Sequence, residues 1–360
     1  SALNIDRYAH LVVEKYRRRQ SIQLGNELVE VSHDLATPLD GSLEAIEDKL
    51  YRIKDGRLDN RYQLEDAQQM TAPLWDAIEQ GKNAGKPIGW SDLDSLTGGL
   101  HKKTITIIGA DSHMGKTSFM VGLSRQVLLE LAEPVLFFSC EMSKEQLNPR
   151  LLSSICEINS SRLTKGNQPG GVEPHEWEKI AQGIQTFSSL PWMVYDEPSP
   201  SMTTIRSIVK QAIRRHGALG AVFLDYIQML NLGGHNRVQE LGEITRQLRA
   251  IAKDFDFPFF VGSQINREAS KRNGKDKRPT KNDLRDSGEI GEAADLVITL
   301  FRPGHYAKNP ADKLIEIIVD KNRPYGCLGT AKMLVELETC HFMQLDNRYT
   351  STVEEQDEKW

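Results

Sequence analysis

Residues 104–120 read TITIIGADSHMGKTSFM, and this stretch decides the fold class of the chain. The run TITIIG is short, apolar and rich in β-branched residues, which is typical of a strand buried on both faces of a sheet. The letters GKTS at 115–118 stand where a helix is expected to begin. A strand that passes through a tight loop into a helix predicts an α/β domain with a phosphate-binding loop.

The loop itself predicts a nucleotide site. Amides at a helix N-terminus point outward with partial positive charge, Lys116 can reach the β and γ phosphates, and the Thr117 hydroxyl can coordinate Mg²⁺. The pattern GxxxxGK[ST] would start at Ala110 rather than at Gly109, and alanine serves there if its φ stays negative. His113 either tunes the site or faces solvent. We predict that ATP and Mg²⁺ are bound by Ser112, His113, Met114, Gly115, Lys116, Thr117 and Ser118.

Short apolar runs alternate with amphipathic segments from residue 85 onward. Predicted helices include 203–216, which stops at Gly217, and 238–255. This alternation predicts a mostly parallel sheet covered by helices on both faces. The last strands have no helices between them, so that edge of the sheet is predicted to be antiparallel. The predicted strands are 104–108, 134–139, 192–195, 221–224, 258–263, 295–300, 314–319 and 332–336.

The first 80 residues differ in composition and pattern from the rest of the chain: they are polar and predicted to be helical. Apolar residues recur at three-to-four spacing in 2–34, and a second helix is predicted at 41–52. A polar linker follows, and the stretch APLWDAIEQGKN at 72–83 predicts a short amphipathic helix carrying Leu74, Trp75, Ala77 and Ile78. This helix docks either on a neighbouring subunit or on its own ATPase domain.

Composition and charge limit the function. The net charge of −5 and the pI of about 6.0 disfavour non-specific coating of duplex DNA, so any nucleic-acid contact should be a local patch. The four cysteines lack CxxC or CxxH spacing, which predicts reduced thiols in a cytoplasmic protein rather than a disulfide framework or a zinc site. Neither a membrane span nor a signal peptide is expected.

Three polar residues follow predicted strands and could turn phosphate binding into hydrolysis. Glu141 could orient the attacking water, or be a solvated loop acid. Asp225 ends an apolar strand, where a carboxylate is costly to bury without a metal or a partner, so it is predicted to hold Mg²⁺ through its water shell. Gln264 ends the next strand and could bridge nucleotide and DNA, or be a plain strand-end amide.

Lys321 and Arg323 stand just beyond a late strand. Their spacing sends both side chains the same way in an extended segment. An arginine that stabilises γ-phosphate charge contributes roughly 10³–10⁵ in rate. The pair could serve a neighbour's nucleotide rather than its own, or be two surface bases.

A basic stretch follows the strand that ends at Gln264. Residues 266–285 hold eight basic and three acidic side chains and no aromatic one. Without aromatics, base stacking is not expected, and the composition favours sequence-independent contact with a nucleic-acid backbone. The alternative is an ordinary solvated loop.

Taken together, these segments resemble the DnaB-type replicative DNA helicases, hexameric enzymes with a RecA-like fold. The resemblance covers about 85–345 and runs, in the family's order, through GWSDLDSLTGGL, GADSHMGKTSF, VLFFSCEMSKEQL, FLDYIQML, EITRQLRAIAKDFDFPFFVGSQINR, RPTKNDLRDSGEIGEAADLVITLFRP and VDKNRPYGCLGT. It implies an ATP-dependent helicase that encircles single-stranded DNA as a homo-hexamer, moves 5′ to 3′ and unwinds duplex at the replication fork.

The resemblance also implies roles for individual residues. Lys116, Glu141, Gln264, Lys321 and Arg323 would be catalytic, the last two as the family's finger pair acting across the subunit interface. Thr117 and Asp225 would hold the metal. The single-strand contact would use Arg267, Arg285, Asp286 and Gly288. The family usually has glutamate where Asp286 stands.

Four segments follow from the resemblance: 1–54 as a helical hairpin from an N-terminal collar, 55–84 as a linker with a docking helix, 85–346 as the RecA-like ATPase domain and 347–360 as an acidic tail. From the resemblance, the hairpin is expected to lack the globular head that precedes it in the family. A helicase loader and a primase are implied partners, in a bacterial cytoplasm, with phage or plasmid origin open. The rivals are a recombinase-like DNA-dependent ATPase and a nucleotide-switched loader or scaffold with slow turnover.

Overall fold

The computed structural model describes residues 2–34, 42–43, 45–46, 49–50, 53, 67–79, 81, 85–230, 236–266, 272, 277–284, 288–309 and 311–345. The chain divides into two compact units, Ser1–Gly81 and Lys82–Trp360. The predicted acidic tail and most of the predicted linker lie outside the described residues. Within the described part, no helix combines the length and apolar character needed to cross a membrane.

The first unit is helical, as predicted. Helix α1 (Ala2–His33) is continuous, and the described residues between 42 and 53 are also helical. Leu24 of α1 is buried, and Glu27 of α1 forms an ion pair with Lys49 of the second stretch. The two helical stretches therefore contact each other.

Helix α2 (Ala67–Glu79) completes the first unit and contains Pro73. It begins five residues earlier than the stretch predicted at 72–83. Residues spaced by four share one face of a helix, and here that face is apolar and exposed. Its exposed side chains are Met70, Leu74, Trp75 and Ile78.

The second unit is built on one nine-stranded sheet with the order β3-β2-β4-β5-β1-β6-β7-β8-β9. The six strands from β3 to β6 are parallel, and β7, β8 and β9 continue the sheet antiparallel. The predicted α/β class and the antiparallel edge are confirmed, whereas β9 was not predicted. The strands are β1 (Ile105–Ala110), β2 (Val135–Ser139), β3 (Trp192–Tyr195), β4 (Ala221–Asp225), β5 (Phe259–Gln264), β6 (Leu296–Phe301), β7 (Leu314–Asn322), β8 (Gly329–Glu336) and β9 (His341–Gln344).

Helices connect the parallel strands. The helix predicted at 203–216 is α8, which starts after Ser201, whose side chain accepts from the amide of Thr204, and ends at Gly217 with φ of 81°. The helices are α3 (Ser91–Thr97), α4 (Lys116–Leu129), α5 (Lys144–Cys156), α6 (Ser160–Lys165), α7 (Trp177–Ser189), α8 (Met202–His216), α9 (Arg237–Phe255), α10 (Gly288–Ala293) and α11 (Pro303–Tyr306).

Two apolar cores cover the two faces of the sheet, because successive strand residues point to opposite sides. Phe137 of β2 joins one core with Phe119 of α4, and Phe138 joins the other with Val209 of α8 and Leu248 of α9. Both faces are thereby covered by packed apolar side chains. In such sheets ligands bind at the carboxyl ends of the parallel strands, where the loops lie.

Candidate nucleotide site at the carboxyl ends of the strands

The loop between β1 and α4 has the geometry of a phosphate cradle. Ala110 is the last residue of β1 and keeps the extended backbone that the pattern requires of alanine. Gly115, directly before α4, has φ of 96°. That φ is strained for any residue with a side chain, and a Cβ at Gly115 would also lie 2.4 Å from Cδ2 of Leu337. The loop therefore leads its amides to the N-terminus of α4, where an anion is stabilised.

The other side chains of the loop face elsewhere. Ser112 and His113 are exposed, and His113 has φ of 65°. Met114 is buried in the core, and the Ser118 hydroxyl lies 3.5 Å from the carbonyl of Leu337. These residues thus offer a phosphate their backbone amides, and their binding role stays a prediction.

Lys116, Thr117 and Asp225 form a buried cluster beside the loop. Thr117 Oγ1 donates to Asp225 Oδ2 at 2.5 Å, and Lys116 Nζ lies 3.3 Å from Asp225 Oδ1. Lys116 Nζ also lies 4.1 Å from the centroid of the Tyr226 ring. Gly262 of β5, which the sequence did not single out, makes room for the cluster. A Cβ there would lie 3.0 Å from Asp225 Oδ1 and 3.2 Å from Lys116 Cε.

This cluster fits a magnesium ion that accompanies a nucleotide. The Asp225 side chain is 3% exposed, and its Oδ1 accepts no hydrogen bond from the described residues although it lies within ion-pair distance of Lys116. Burying a carboxylate oxygen that accepts no hydrogen bond costs free energy, and a bound cation would offset that cost. Carboxylate, hydroxyl and water oxygens are the ligands Mg²⁺ prefers, and Thr117 and Asp225 supply the first two.

Like the phosphate loop, Glu141 and Gln264 lie at the carboxyl ends of the parallel strands. Glu141 is exposed and follows β2, whose last residue pairs with Asp225. Gln264 is in register with Ala110, the last residue of β1. The sequence missed Gln228, whose Nε2 donates to Ser263 Oγ at 2.9 Å and whose Oε1 accepts from the Gln264 amide at 3.2 Å. Gln228 thereby links the end of β4 to the end of β5.

Lys321 and Arg323 lie near the amino ends of the parallel strands, at the other end of the strands from the phosphate loop. Strand β7 extends to Asn322, three residues beyond the predicted end, and runs antiparallel to β6. Lys321 is in register with Val297 near the amino end of β6, which lies beside the amino-terminal half of β1. Val297 pairs with Ile107 of β1, and the phosphate loop leaves β1 after Ala110, about 10 Å further along the strand. The pair therefore does not meet the nucleotide site of its own subunit.

Both side chains of this pair are held within the subunit. Lys321 Nζ donates to the carbonyls of Gly291 at 2.8 Å and Glu292 at 2.9 Å, at the C-terminal end of α10. Burial lowers the pKa of Lys321, and the nearby positive charge of Arg323 lowers it further. Arg323 Nη1 donates to Asp295 Oδ1 at 3.1 Å, while half of the arginine side chain stays exposed.

The predicted single-strand contact is described only at its margins. Gly288 is the first residue of α10. Leu284, which precedes the predicted contact, bridges to Ile265, the residue after Gln264. Leu284 also packs over Gly109 of β1: a Cβ at this glycine would lie 2.5 Å from Cδ2 of Leu284, so the leucine would have to shift. The contacts that fall outside the described residues are Arg267, Arg285 and Asp286.

Two basic residues of the stretch 266–285 are engaged inside the subunit. Arg272 forms an ion pair with Asp283, and although burial raises the pKa of Asp283, hydrogen bonds from Arg272 and Thr280 hold it below its usual range. Arg278 donates through Nε and Nη2 to the buried Glu316 at 2.6 and 2.8 Å. The charge this stretch can offer to DNA is therefore smaller than the sequence count indicates.

A strand–loop–helix phosphate cradle with a buried carboxylate on a nearby strand defines a P-loop ATPase with a RecA-like sheet. Residues 85–344 match the family described as DnaB-like helicase C terminal domain, and the chain belongs to this family. It is 34% identical over 342 residues to the "Probable replicative DNA helicase" of Trieres chinensis, covering 91% of this chain and 73% of that protein. The chain is thus a replicative DNA helicase that hydrolyses ATP, as the resemblance implied.

Two solved structures have the same fold. One is described as an ATPase domain, with a TM-score of 0.72 and 26% identity over 79% of this chain and all of that one. The other is a DnaB-like replicative helicase described with its interactions with primase, at a TM-score of 0.70 and 24% identity. It covers 96% of this chain and 81% of that chain. The RecA-like fold is therefore confirmed.

Proposed function

We propose that this chain acts as a homo-hexameric ring that binds ATP and Mg²⁺ between neighbouring subunits and moves 5′ to 3′ along single-stranded DNA. One observation carries the proposal. Lys116, Thr117 and Asp225 lie at the carboxyl ends of the parallel strands. Lys321 and Arg323 lie near the amino ends of those strands. A single subunit therefore holds the two halves of an ATPase site apart, and a neighbour is needed to join them.

In this proposal each residue has one task. The loop amides hold the phosphates, and Lys116 turns from Asp225 to the β and γ phosphates. Bound magnesium would neutralise phosphate charge, with Thr117 and Asp225 holding it. Glu141 orients the attacking water. Gln264 senses the γ-phosphate. Its amide donates to Gln228, and the next residue, Ile265, bridges to Leu284, directly before the segment proposed to bind DNA.

The remaining roles concern the assembly. Lys321 and Arg323 stabilise charge on the neighbour's γ-phosphate, and Arg267, Arg285, Asp286 and Gly288 hold the single-strand backbone. The exposed apolar face of α2 suits docking on a neighbouring subunit, with the hairpin contributing to a collar. A helicase loader and a primase are the proposed partners in a bacterial cytoplasm, and one structural neighbour is described with its primase.

Strand displacement on forked DNA tests this function. The parent chain, with ATP and Mg²⁺, should displace a strand only when the fork has a free 5′ arm. Lys116→Ala and Glu141→Gln should abolish displacement. Lys102→Ala and Glu145→Gln, which change exposed residues of the same types, should leave it intact.

Other outcomes would favour the rivals. DNA-stimulated ATP hydrolysis without displacement from any fork would favour a recombinase-like ATPase. Slow hydrolysis that ignores both single-stranded DNA and Glu141→Gln would favour a nucleotide-switched loader. Displacement that requires a free 3′ arm would contradict the proposed polarity alone.

A further inference from the structure

Asp295 lies directly before β6 and is the meeting point of two arginines. Its side chain is 5% exposed. Arg249 of α9 donates to it through two nitrogens, with Nε 2.9 Å from Oδ2 and Nη2 2.5 Å from Oδ1. Arg323 Nη1 adds a third contact to Oδ1 at 3.1 Å. The amide of Ile105 donates to Oδ2 at 3.1 Å, so the carboxylate accepts four hydrogen bonds from three residues.

The main chain of the finger pair is fixed at the same place. The amide of Arg323 donates to the carbonyl of Asp295 at 2.8 Å, and the amide of Asp295 donates to the carbonyl of Ile105 at 3.0 Å. Ile105 is the first residue of β1, the strand that leads into the phosphate loop. Both the backbone and the side chain of Arg323 are thus hydrogen-bonded to Asp295, which is itself hydrogen-bonded to the central sheet.

The charges around Asp295 leave the positive charge of Arg323 only partly neutralised. A bidentate arginine–carboxylate pair is the strongest form of this contact, and Arg249 has it. Arg323 shares the same carboxylate through one nitrogen only and keeps half of its side chain exposed. Two guanidinium groups around one carboxylate leave net positive charge, and Lys321 adds to it. Arg323 is therefore held in place without losing its attraction for a phosphate.

We propose that Asp295, held by Arg249, is the positioning residue that aims Arg323 at the nucleotide of the neighbouring subunit. This inference rests on the proposed function, because it needs Arg323 to act across the interface. Asp295 itself touches no nucleotide. It acts by restricting the rotamers of Arg323 before the neighbour's phosphate arrives, so that the ordering is complete before the reaction begins.

The first test measures DNA-stimulated ATP hydrolysis by the full chain carrying Asp295→Asn. We expect kcat to fall on the order of 10- to 100-fold, because misplacing a catalytic group costs about that much. The KM for ATP should stay within about twofold, since ground-state binding is not altered. Arg249→Lys, which keeps the charge but not the bidentate geometry, should give an intermediate kcat and serves if Asp295→Asn unfolds. Asp254→Asn is the matched control, because that α9 carboxylate pairs with Arg206 instead.

A double-mutant cycle separates this inference from the function on which it rests. If Asp295 works through Arg323, adding Asp295→Asn to Arg323→Ala should lower kcat no further. Losses that multiply would overturn the positioning role while leaving the finger role standing. An unchanged kcat in Arg323→Ala would instead remove the finger role from the proposed function and the inference with it.

Mixed rings test the direction of action. Subunits with Asp295→Asn keep their nucleotide site, and subunits with Lys116→Ala keep the pair of Asp295 and Arg323. Mixing the two should give more hydrolysis than either alone, as should mixing Arg323→Ala with Lys116→Ala. A gain in the second mixture but not in the first means that Asp295 serves its own subunit, which overturns the inference. No gain in either mixture means that Arg323 does not act in a neighbour.

Discussion

Replacing Lys116 with alanine should destabilise the protein in the absence of nucleotide, in addition to stopping hydrolysis. Lys116 Nζ lies 3.3 Å from Asp225 Oδ1, and the two side chains are 11% and 3% exposed. Removing one partner of a buried ion pair costs about 3–5 kcal/mol, because the other charge is left uncompensated. The hydroxyl of Thr117 still donates to Asp225, so we expect roughly 3 kcal/mol, the low end of that range.

Chemical denaturation monitored by circular dichroism measures this loss. The double variant Lys116→Ala with Asp225→Asn should recover most of it, because neither charge then remains buried. Magnesium should also restore stability to Lys116→Ala, by about 1.4 kcal/mol at ten times its Kd, since a cation replaces the missing ammonium at the carboxylate. Sodium chloride at equal ionic strength controls for screening. Lys102→Ala is the matched control, because its pair with Asp256 is half-exposed and contributes about 0–1 kcal/mol.

Two results would refute this reasoning. If Lys116→Ala unfolded at the same denaturant concentration as the parent, Asp225 would not be a buried carboxylate in need of a cation. Equal rescue by sodium and magnesium would separate Asp225 from the metal role, leaving its charge purely structural.

Three further predictions concern other parts of the chain. Arg278→Ala should cost about 3–5 kcal/mol of unfolding free energy and Glu316→Gln about 1–3, because the carboxylate is buried and the guanidinium is 31% exposed; denaturation giving the reverse order would contradict this. Mass spectrometry after alkylation near pH 8 should find Cys327 modified first, because it is exposed, whereas burial raises the pKa of Cys140 to about 12 and keeps that thiol protonated. Trp75→Ala should weaken the hexamer in sedimentation without changing the unfolding of the ATPase domain, and an unaltered hexamer would argue against docking through α2.

The strands were readable from the sequence because most are buried on both faces. Runs such as VLFF at 135–138 and AVFL at 221–224 have no polar side to confuse the pattern, and the observed strands differ from the predicted ones by only a few residues. Strand β9 escaped notice because HFMQ is short and alternates in burial, with β8 as its neighbour in the sheet. Nothing local in four such residues distinguishes a strand from a loop.

The sequence could indicate candidate site residues only where each one lies at the end of a predicted strand. The phosphate loop, Glu141 and Asp225 are each marked by a strand end in their own segment. Gly262 and Gln228 are not, because their roles depend on β5 lying between β4 and β1, which no local pattern reveals. Asp295 meets Arg249 across 46 residues of chain, for the same reason.

The reversal of chain direction between β6 and β7 has the largest functional consequence. If β7 ran parallel to β6, its carboxyl end would lie beside the phosphate loop, and Lys321 and Arg323 could approach their own nucleotide. Because β7 is antiparallel, they lie at the amino ends of the parallel strands, next to the C-terminus of α10. Helix α10 begins at Gly288, within the segment proposed to hold DNA. One subunit thus connects the segment proposed to hold DNA to a pair of cations that lies away from its own phosphate loop. This is the arrangement expected if DNA binding by each subunit is coupled to hydrolysis in the next.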